Sequence, residues 1–244
     1  MDSAIVTGAG RRLGLYLVER LLFDSWRVFA LSRGSSKELD GLRRIYGDRL
    51  SVITYGDIDA VSLQNAISKI RKMSTAIELI VNNASIFEKD VEHNGAERAY
   101  FAKLFEVHMQ LPLFMMMEMR SALESSYIKK GRPSSIVNIT DIYVDNPSSQ
   151  HSLYSATKAG LESLSISYAK KYAPFCTVNT IKPGPIMFLS SHSVAEKDKV
   201  AQATLLETEP GFEPIFKMLM SIQNNNFVTG ASFKVDGGRS VGKF

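Results

Sequence analysis

Tyr154 and Lys158 stand four residues apart in Leu153-Tyr154-Ser155-Ala156-Thr157-Lys158, within a helical pattern, so both side chains fall on one face a turn apart. An ammonium beside a phenol stabilises the phenolate, which is expected to pull a pKa of about 10 down toward a useful proton-donor range. Upstream, at the end of the apolar run Val137-Asn138-Ile139-Thr140, comes Asp141. Tyrosine, lysine and a carboxyl brought together would make a proton-handling site; the tyrosine–lysine pair by itself is equally a solvated surface pair. An ionised aspartate can only accept hydrogen bonds, whereas a buried, protonated one can also donate.

A second constellation lies at the N-terminus. Thr7-Gly8-Ala9-Gly10-Arg11-Arg12-Leu13-Gly14 follows the apolar run Ala4-Ile5-Val6 and opens a helical pattern. Strand, tight glycine turn and helix N-terminus together form a cradle for a dinucleotide pyrophosphate. Arg12 occupies a place where a glycine is expected. A cation in the first turn of a helix opposes the macrodipole, at a few tenths of a kcal/mol or more, unless an anion compensates. A pyrophosphate is such an anion. Arg12 then either bridges phosphate and substrate edge, or points to water while Arg11 makes the phosphate contact. The second strand ends in Ala30-Leu31-Ser32-Arg33-Gly34, with no acid until Glu38. An acid there would hold a ribose hydroxyl. Arg33 can instead bind a 2′-phosphate through two nitrogens, with Ser32 donating to it, which selects NADPH. A solvated Arg33 is the plainer alternative.

The elements that must position these groups follow a regular rhythm. Short, near-continuously apolar runs predict strands at residues 4–7, 27–32, 50–55, 77–81, 135–140, 177–181 and 232–235. Amphipathic stretches predict helices at 11–23, 36–46, 60–73, 98–123 and 152–172. Strand and helix in alternation mean an α/β, doubly wound Rossmann fold: one parallel sheet of about seven strands with helices on both faces. Residues 1–244 carry no linker or repeat, which predicts a single domain. The 185–212 segment breaks the rhythm with Pro185, Pro210, Gly211 and the charged Glu196-Lys197-Asp198-Lys199. It follows a strand on the ligand-binding side, as a substrate lid or an ordinary surface connection.

Composition narrows the classes. A hydrophobic fraction of 45% and a charged fraction of 22% fit a soluble globular chain. The net charge of +4 is mild and no basic run exceeds two residues, so neither nucleic acid nor membrane is expected as a partner. The lone Cys176 cannot form an intrachain disulfide, which fits a reducing compartment. The N-terminus lacks a signal-peptide pattern, and the apolar run 111–117 is too short to span a bilayer. The four histidines show no metal-ligand spacing. A cytoplasmic protein without a metal is expected.

After the fourth strand comes Asn82-Asn83-Ala84-Ser85, after the sixth Pro183-Gly184, and near the C-terminus Thr229-Gly230 and Asp236-Gly237-Gly238. With the glycine turn and Tyr-x-x-x-Lys, these resemble the short-chain dehydrogenase/reductase family over essentially the whole chain. The resemblance implies that Tyr154 donates the proton while Lys158 binds the nicotinamide ribose and assists it. Gly8, Leu13, Gly14, Asn83 and Ala84 would line the cofactor. Asp57, with Ile58 beside it, would meet the adenine, and Pro183, Gly184 and Ile186 the nicotinamide.

The departures from the general pattern select a branch. Arg12 replaces the middle glycine, Asp141 the usual serine, and Ser85 the usual glycine, with Phe87 close behind. All match the pteridine reductases and bacterial dihydromonapterin reductases. That branch implies that Phe87 stacks the pterin on the nicotinamide, Ser85 bonds substrate or cofactor, and Arg12, Asp141 and Tyr154 contact the substrate. A carboxylate would repel the charge developing on a ketone oxygen, but suits a substrate with N–H donors or a ring nitrogen to be protonated. His108 takes a helix position usually held by an asparagine that completes a tetrad. This too resembles the dihydromonapterin branch and leaves open the usual proton relay through that position. His108 could equally be a satisfied packing histidine, so only a minor role is expected. The helix around Phe114 and Met115 is a frequent subunit interface in the family, whose habit is the homotetramer. The expectation is NADPH-dependent reduction of a dihydropterin to a tetrahydropterin, with dihydrofolate a candidate if its tail fits past residues 185–212. The rivals are a reductase of 3-oxoacyl thioesters or other ketones, and a non-catalytic NADP-binding sensor.

Overall fold

The computed structural model describes residues 1–56, 58–188 and 193–242. Seven strands form one sheet: β1 (Ser3–Thr7), β2 (Arg27–Ser32), β3 (Leu50–Thr54), β4 (Leu79–Asn82), β5 (Ser134–Ile139), β6 (Cys176–Pro183) and β7 (Ser232–Val235). Their order is β3-β2-β1-β4-β5-β6-β7, and every neighbouring pair is parallel. The chain winds outward from β1 to β3, then restarts beside β1 with β4. The carboxyl ends of β1 and β4 therefore flank the crevice where open sheets of this kind bind ligands.

Period-two alternation divides each strand between two cores. Ile5, Phe29 and Leu31 face one side with Ile67 and Ile70 of α3 (Ala60–Met73). On that side also pack Leu111 and Met115 of α5 (Leu111–Glu118), Leu123 of α6 (Arg120–Lys130) and Tyr172 of α7 (Ser152–Tyr172). Ala4, Val6, Val28 and Ala30 face the other with Leu17 and Leu21 of α1 (Arg12–Phe23), Leu39 of α2 (Lys37–Tyr46) and Leu219 of α9 (Glu213–Gln223). Both faces are dry, which is why the strands are apolar at nearly every position rather than at every second one.

Three differences from the sequence-based elements have physical causes. The helix expected over 98–123 is α4 (Glu97–Phe105), a π-turn over Glu106–Gln110, and then α5 and α6, which runs on to Lys130. Pro112 has no N–H to give the His108 carbonyl and its ring crowds that oxygen, so the helix widens just before it. Helix α9 was not anticipated, although Ile215, Leu219 and Ile222 lie at helical spacing and Pro214 sits in its first turn. Within 185–212, residues Val194–Gln202 form α8, opened by a capping box between Ser193 and Glu196 and burying none of its side chains. No helix among the described residues is long and apolar enough to cross a membrane.

Candidate active site

The glycine turn fits a dinucleotide because it leaves no room for side chains. Gly8 has φ +65°, and a Cβ there would lie 2.7 Å from Ala84 Cα. A Cβ on Gly14 would lie 2.1 Å from the Gly8 carbonyl oxygen and 2.6 Å from Asn83 Nδ2. The turn is locked to the loop after β4. Thr7 Oγ1 accepts the amides of Asn83 (3.0 Å) and Ala84 (3.1 Å), and Asn83 Nδ2 donates to Thr7 O at 3.1 Å. Arg12 adopts φ +51°, left-handed backbone that a side-chain-bearing residue enters at about 1–3 kcal/mol. Its Nη2 donates to Met187 O at 3.3 Å, so this arginine reaches from the cradle to the start of the 185–212 segment. The first turn of α1 carries no acidic side chain, and its free amides and Arg12 present positive charge to the crevice.

At the end of β2, Arg33 is exposed, as is Arg11 in the glycine turn. Ser32 differs from expectation. It is buried and its hydroxyl donates to Gly34 O at 2.6 Å, so it shapes the turn that presents Arg33 instead of offering a donor outward. Leu13 and Ile186 pack on one core and Ile58 on the other. Asp57 lies outside the described residues. Pro183 closes β6; Gly184 donates to Val235 O at 3.0 Å, and a Cβ on it would lie 2.6 Å from Asp236 Cβ. Glycine is required there by the approach of the segment after β7.

Tyr154 and Lys158 point into the site from α7, both almost wholly buried. Asp141 caps a short 3₁₀ turn over Ile142–Val144: Oδ1 accepts the Tyr143 amide and Oδ2 accepts the Tyr154 phenol, each at 2.9 Å. The three residues read from the sequence thus meet. Their electrostatics reverse one expectation. Burial, then the charge and hydrogen bond of Asp141, push the phenol well above its ordinary value of 10, where Lys158 was expected to pull it down. Lys158 spends its ammonium on Ile139 O at 2.8 Å and lies 5.7 Å from the phenol ring centroid. Burial lowers Lys158 to about 8, opposed by Asp141. Burial also raises the Asp141 carboxyl, against the hydrogen bonds of Tyr143 and Tyr154. A phenol that stays protonated and a carboxyl that takes up a proton more readily than usual make a pair that stores a proton.

The side of the site around Tyr154 is built from aromatic rings. Phe87 is 54% exposed. It stacks on His151 at 4.4 Å with planes 7° apart, and meets the Tyr154 ring edge-on at 4.9 Å. His151 is a candidate site residue that sequence reading missed; its signal is its place just before the helix of Tyr154. His108 is a buried, satisfied histidine, and its partners lie beside the site. It is fully buried at the middle of the π-turn, and hydrogen bonds engage both ring nitrogens. Nε2 accepts the Ile86 amide at 3.1 Å and lies 3.0 Å from Ser85 Oγ, while Nδ1 lies 2.8 Å from Thr157 Oγ1. Thr7 and Thr157 were likewise not singled out. Among the described residues no group of His, Cys, Asp and Glu is placed to hold a metal ion.

Comparison with known proteins points the same way. The family model described as short chain dehydrogenase matches residues 2–199. A dihydromonapterin reductase of Klebsiella pneumoniae is 30% identical over 239 residues, covering 97% of this chain and 96% of that one. Its counterpart in Escherichia coli K12 is 29% identical with the same coverage. Among solved structures, the FolM alternative dihydrofolate reductase 1 of Brucella canis, complexed with NADP, superposes with a TM-score of 0.87 at 25% identity. It covers 100% of this chain and 95% of its own. An apo SCOR enzyme of Clostridium thermocellum has the same TM-score at 20% identity, a likeness of fold.

Proposed function

The chain belongs to the short-chain dehydrogenases, a family of nicotinamide-dependent oxidoreductases, and from that premise we propose that it reduces a dihydropterin to a tetrahydropterin with NADPH. The observation that carries this reading is the Asp141–Tyr154 pair. A carboxyl stands where a substrate ring would approach, and it holds the phenol hydroxyl at 2.9 Å. A carbonyl oxygen gaining negative charge is poorly served by a carboxylate. A pterin ring edge, with N–H donors and a ring nitrogen that must gain a proton, is well served. The dihydromonapterin reductases that are 29–30% identical and the NADP-bound FolM structure support the same choice.

Bound NADPH would supply the hydride to the carbon of the dihydropterin C=N bond. The remaining work falls to this chain. Gly8, Gly14 and Asn83 shape the cradle, with Arg11 and Arg12 as its cations. Exposed Arg33, with no acid on the end of β2, supports the phosphorylated dinucleotide over the unphosphorylated one. Lys158 faces the ribose and Phe87 offers a face to the pterin. One proton per turnover must reach the ring nitrogen, and the Asp141–Tyr154 pair holds it there, out of bulk water. The Arg12–Met187 contact supports the 185–212 segment as a lid over this ring. Exposed Phe101 and Phe105 on α4 and Met117 on α5 support those helices as a subunit interface, and a homotetramer as the assembly.

The test is NADPH oxidation by purified protein with a dihydropterin and an acetoacetyl thioester side by side. Turnover of the dihydropterin, lost in Tyr154→Phe and in Asp141→Ala, is the expected result. Turnover of the thioester alone would replace this reading with a ketone reductase. Tight NADPH binding with neither turnover would make the chain a sensor.

A further inference from the structure

The loop after β4 has two anchors, and they divide the site. Thr7 Oγ1 takes the amides of Asn83 and Ala84, where the cofactor cradle is. Two residues on, His108 takes the amide of Ile86 and faces the Ser85 hydroxyl, where the substrate would lie. A backbone amide can only donate, so Nε2 must be the unprotonated nitrogen. The Thr157 hydroxyl donates to Tyr154 O at 2.8 Å, which leaves its oxygen to accept from Nδ1–H. Both ends of the ring therefore require the same neutral tautomer. Burial and the neighbouring Lys158 ammonium hold the imidazole well below its ordinary value, in agreement with the geometry.

We propose that His108 is the positioning residue of the substrate end: through Nε2 it fixes residues 85–87 against α7, so that Phe87 and the Tyr154 phenol keep one geometry. The π-turn created by Pro112 carries the ring into contact with both partners. Its close fit to α7 is visible at Gly160, where a Cβ would lie 2.7 Å from Met109 Sδ. An unprotonated Nε2 can only accept, so at 3.0 Å the Ser85 hydroxyl donates to it alongside the Ile86 amide, and one ring holds both residues. Its one ring proton is held on Nδ1 by the Thr157 hydroxyl, so His108 acts here by position. The inference leans on the pterin reading only for the choice of substrate.

Two conservative variants separate its two bonds. Glutamine can place Oε1 where Nε2 was and keep the Ile86 amide bonded. Asparagine can reach Thr157 but offers Ile86 no acceptor. With NADPH and a dihydropterin, His108→Gln is expected to keep kcat/KM within about fivefold, while His108→Asn and His108→Leu lose about 10–100-fold through lower kcat and higher KM, the scale of a misplaced reacting pair. NADPH affinity should stay within about twofold in all three, because Thr7 anchors the cofactor end. Amide exchange of Ile86 should be slow in the native protein and His108→Gln and fast in the other two. Asparagine matching glutamine, glutamine failing as leucine does, or NADPH affinity falling in step with turnover would overturn the proposal. If the native protein turns over no dihydropterin, the functional reading fails, and Ile86 exchange alone decides: protection unchanged in His108→Asn overturns the proposal, and protection lost there but kept in His108→Gln upholds it.

Discussion

The cofactor end and the substrate end of the crevice are built by opposite means. The cofactor end is built on backbone: a glycine turn with no room for a Cβ, whose carbonyls and neighbouring amides are held by the Asn83 and Thr7 side chains. The substrate end is side chain against side chain: Phe87 on His151, Tyr154 on Asp141, and His108 between Ser85 and Thr157. Backbone packing admits one shape and fails abruptly. Side-chain packing can be altered residue by residue, which suits the end proposed to bind the substrate.

The largest effect should come from breaking the rigid end. In Gly14→Ala the new Cβ would sit 2.1 Å from the Gly8 carbonyl oxygen, and the turn must move. Saturable NADPH binding, followed by fluorescence, should disappear. Wild-type affinity in that variant would mean that the cradle yields and the contrast between the two ends is false.

At the substrate end, Asp141→Asn should lower dihydropterin turnover by about 10²–10³-fold, the scale of losing a positioned proton donor. NADPH affinity should be unchanged, since among the described residues the carboxyl bonds Tyr143 and Tyr154. A next, smaller effect belongs to Arg33→Ala. Losing charge-assisted bonds to a 2′-phosphate should weaken NADPH about 10–100-fold and leave NADH untouched. Equal loss for both dinucleotides would assign Arg33 to the shared part of the cofactor.

The same contrast explains what could be read in the sequence. A turn that excludes side chains must spell glycine, so Gly8 and Gly14 are visible without a structure. Tyr154 and Lys158 are visible because one helix spaces them, and Asp141 because a strand ends there. The His151–Phe87 stack and the two-sided role of His108 join segments far apart in the chain, and no local pattern encodes such a meeting. Pro112 was the available clue to the π-turn under His108. Helix α9 was missed where three apolar positions at helical spacing follow a segment read as irregular. The direction of the Tyr154 shift was missed for a related reason: Lys158 is next to the phenol in sequence spacing, but burial and Asp141 dominate in space.

The smallest predicted effect concerns stability, and it bears on whether Asp141 is retained for folding or for chemistry. Burial raises its carboxyl above the value of the unfolded chain, about 3.9. Below that pH the group is neutral in both states and contributes nothing. As pH rises, the unfolded chain releases the proton first, and the folded state binds more protons than the unfolded one. Stability then falls with pH, and the deficit is complete above the raised folded value. Asparagine cannot ionise; its oxygen keeps the Tyr143 amide and its amide donates to the phenol. Asp141→Asn should therefore melt about 2–5 °C higher than the native protein at pH 7, with the gain shrinking on acidification and gone below about pH 4. A variant that is less stable at neutral pH would make the carboxylate a structural partner, and the substrate end would then serve folding as much as the glycine turn does.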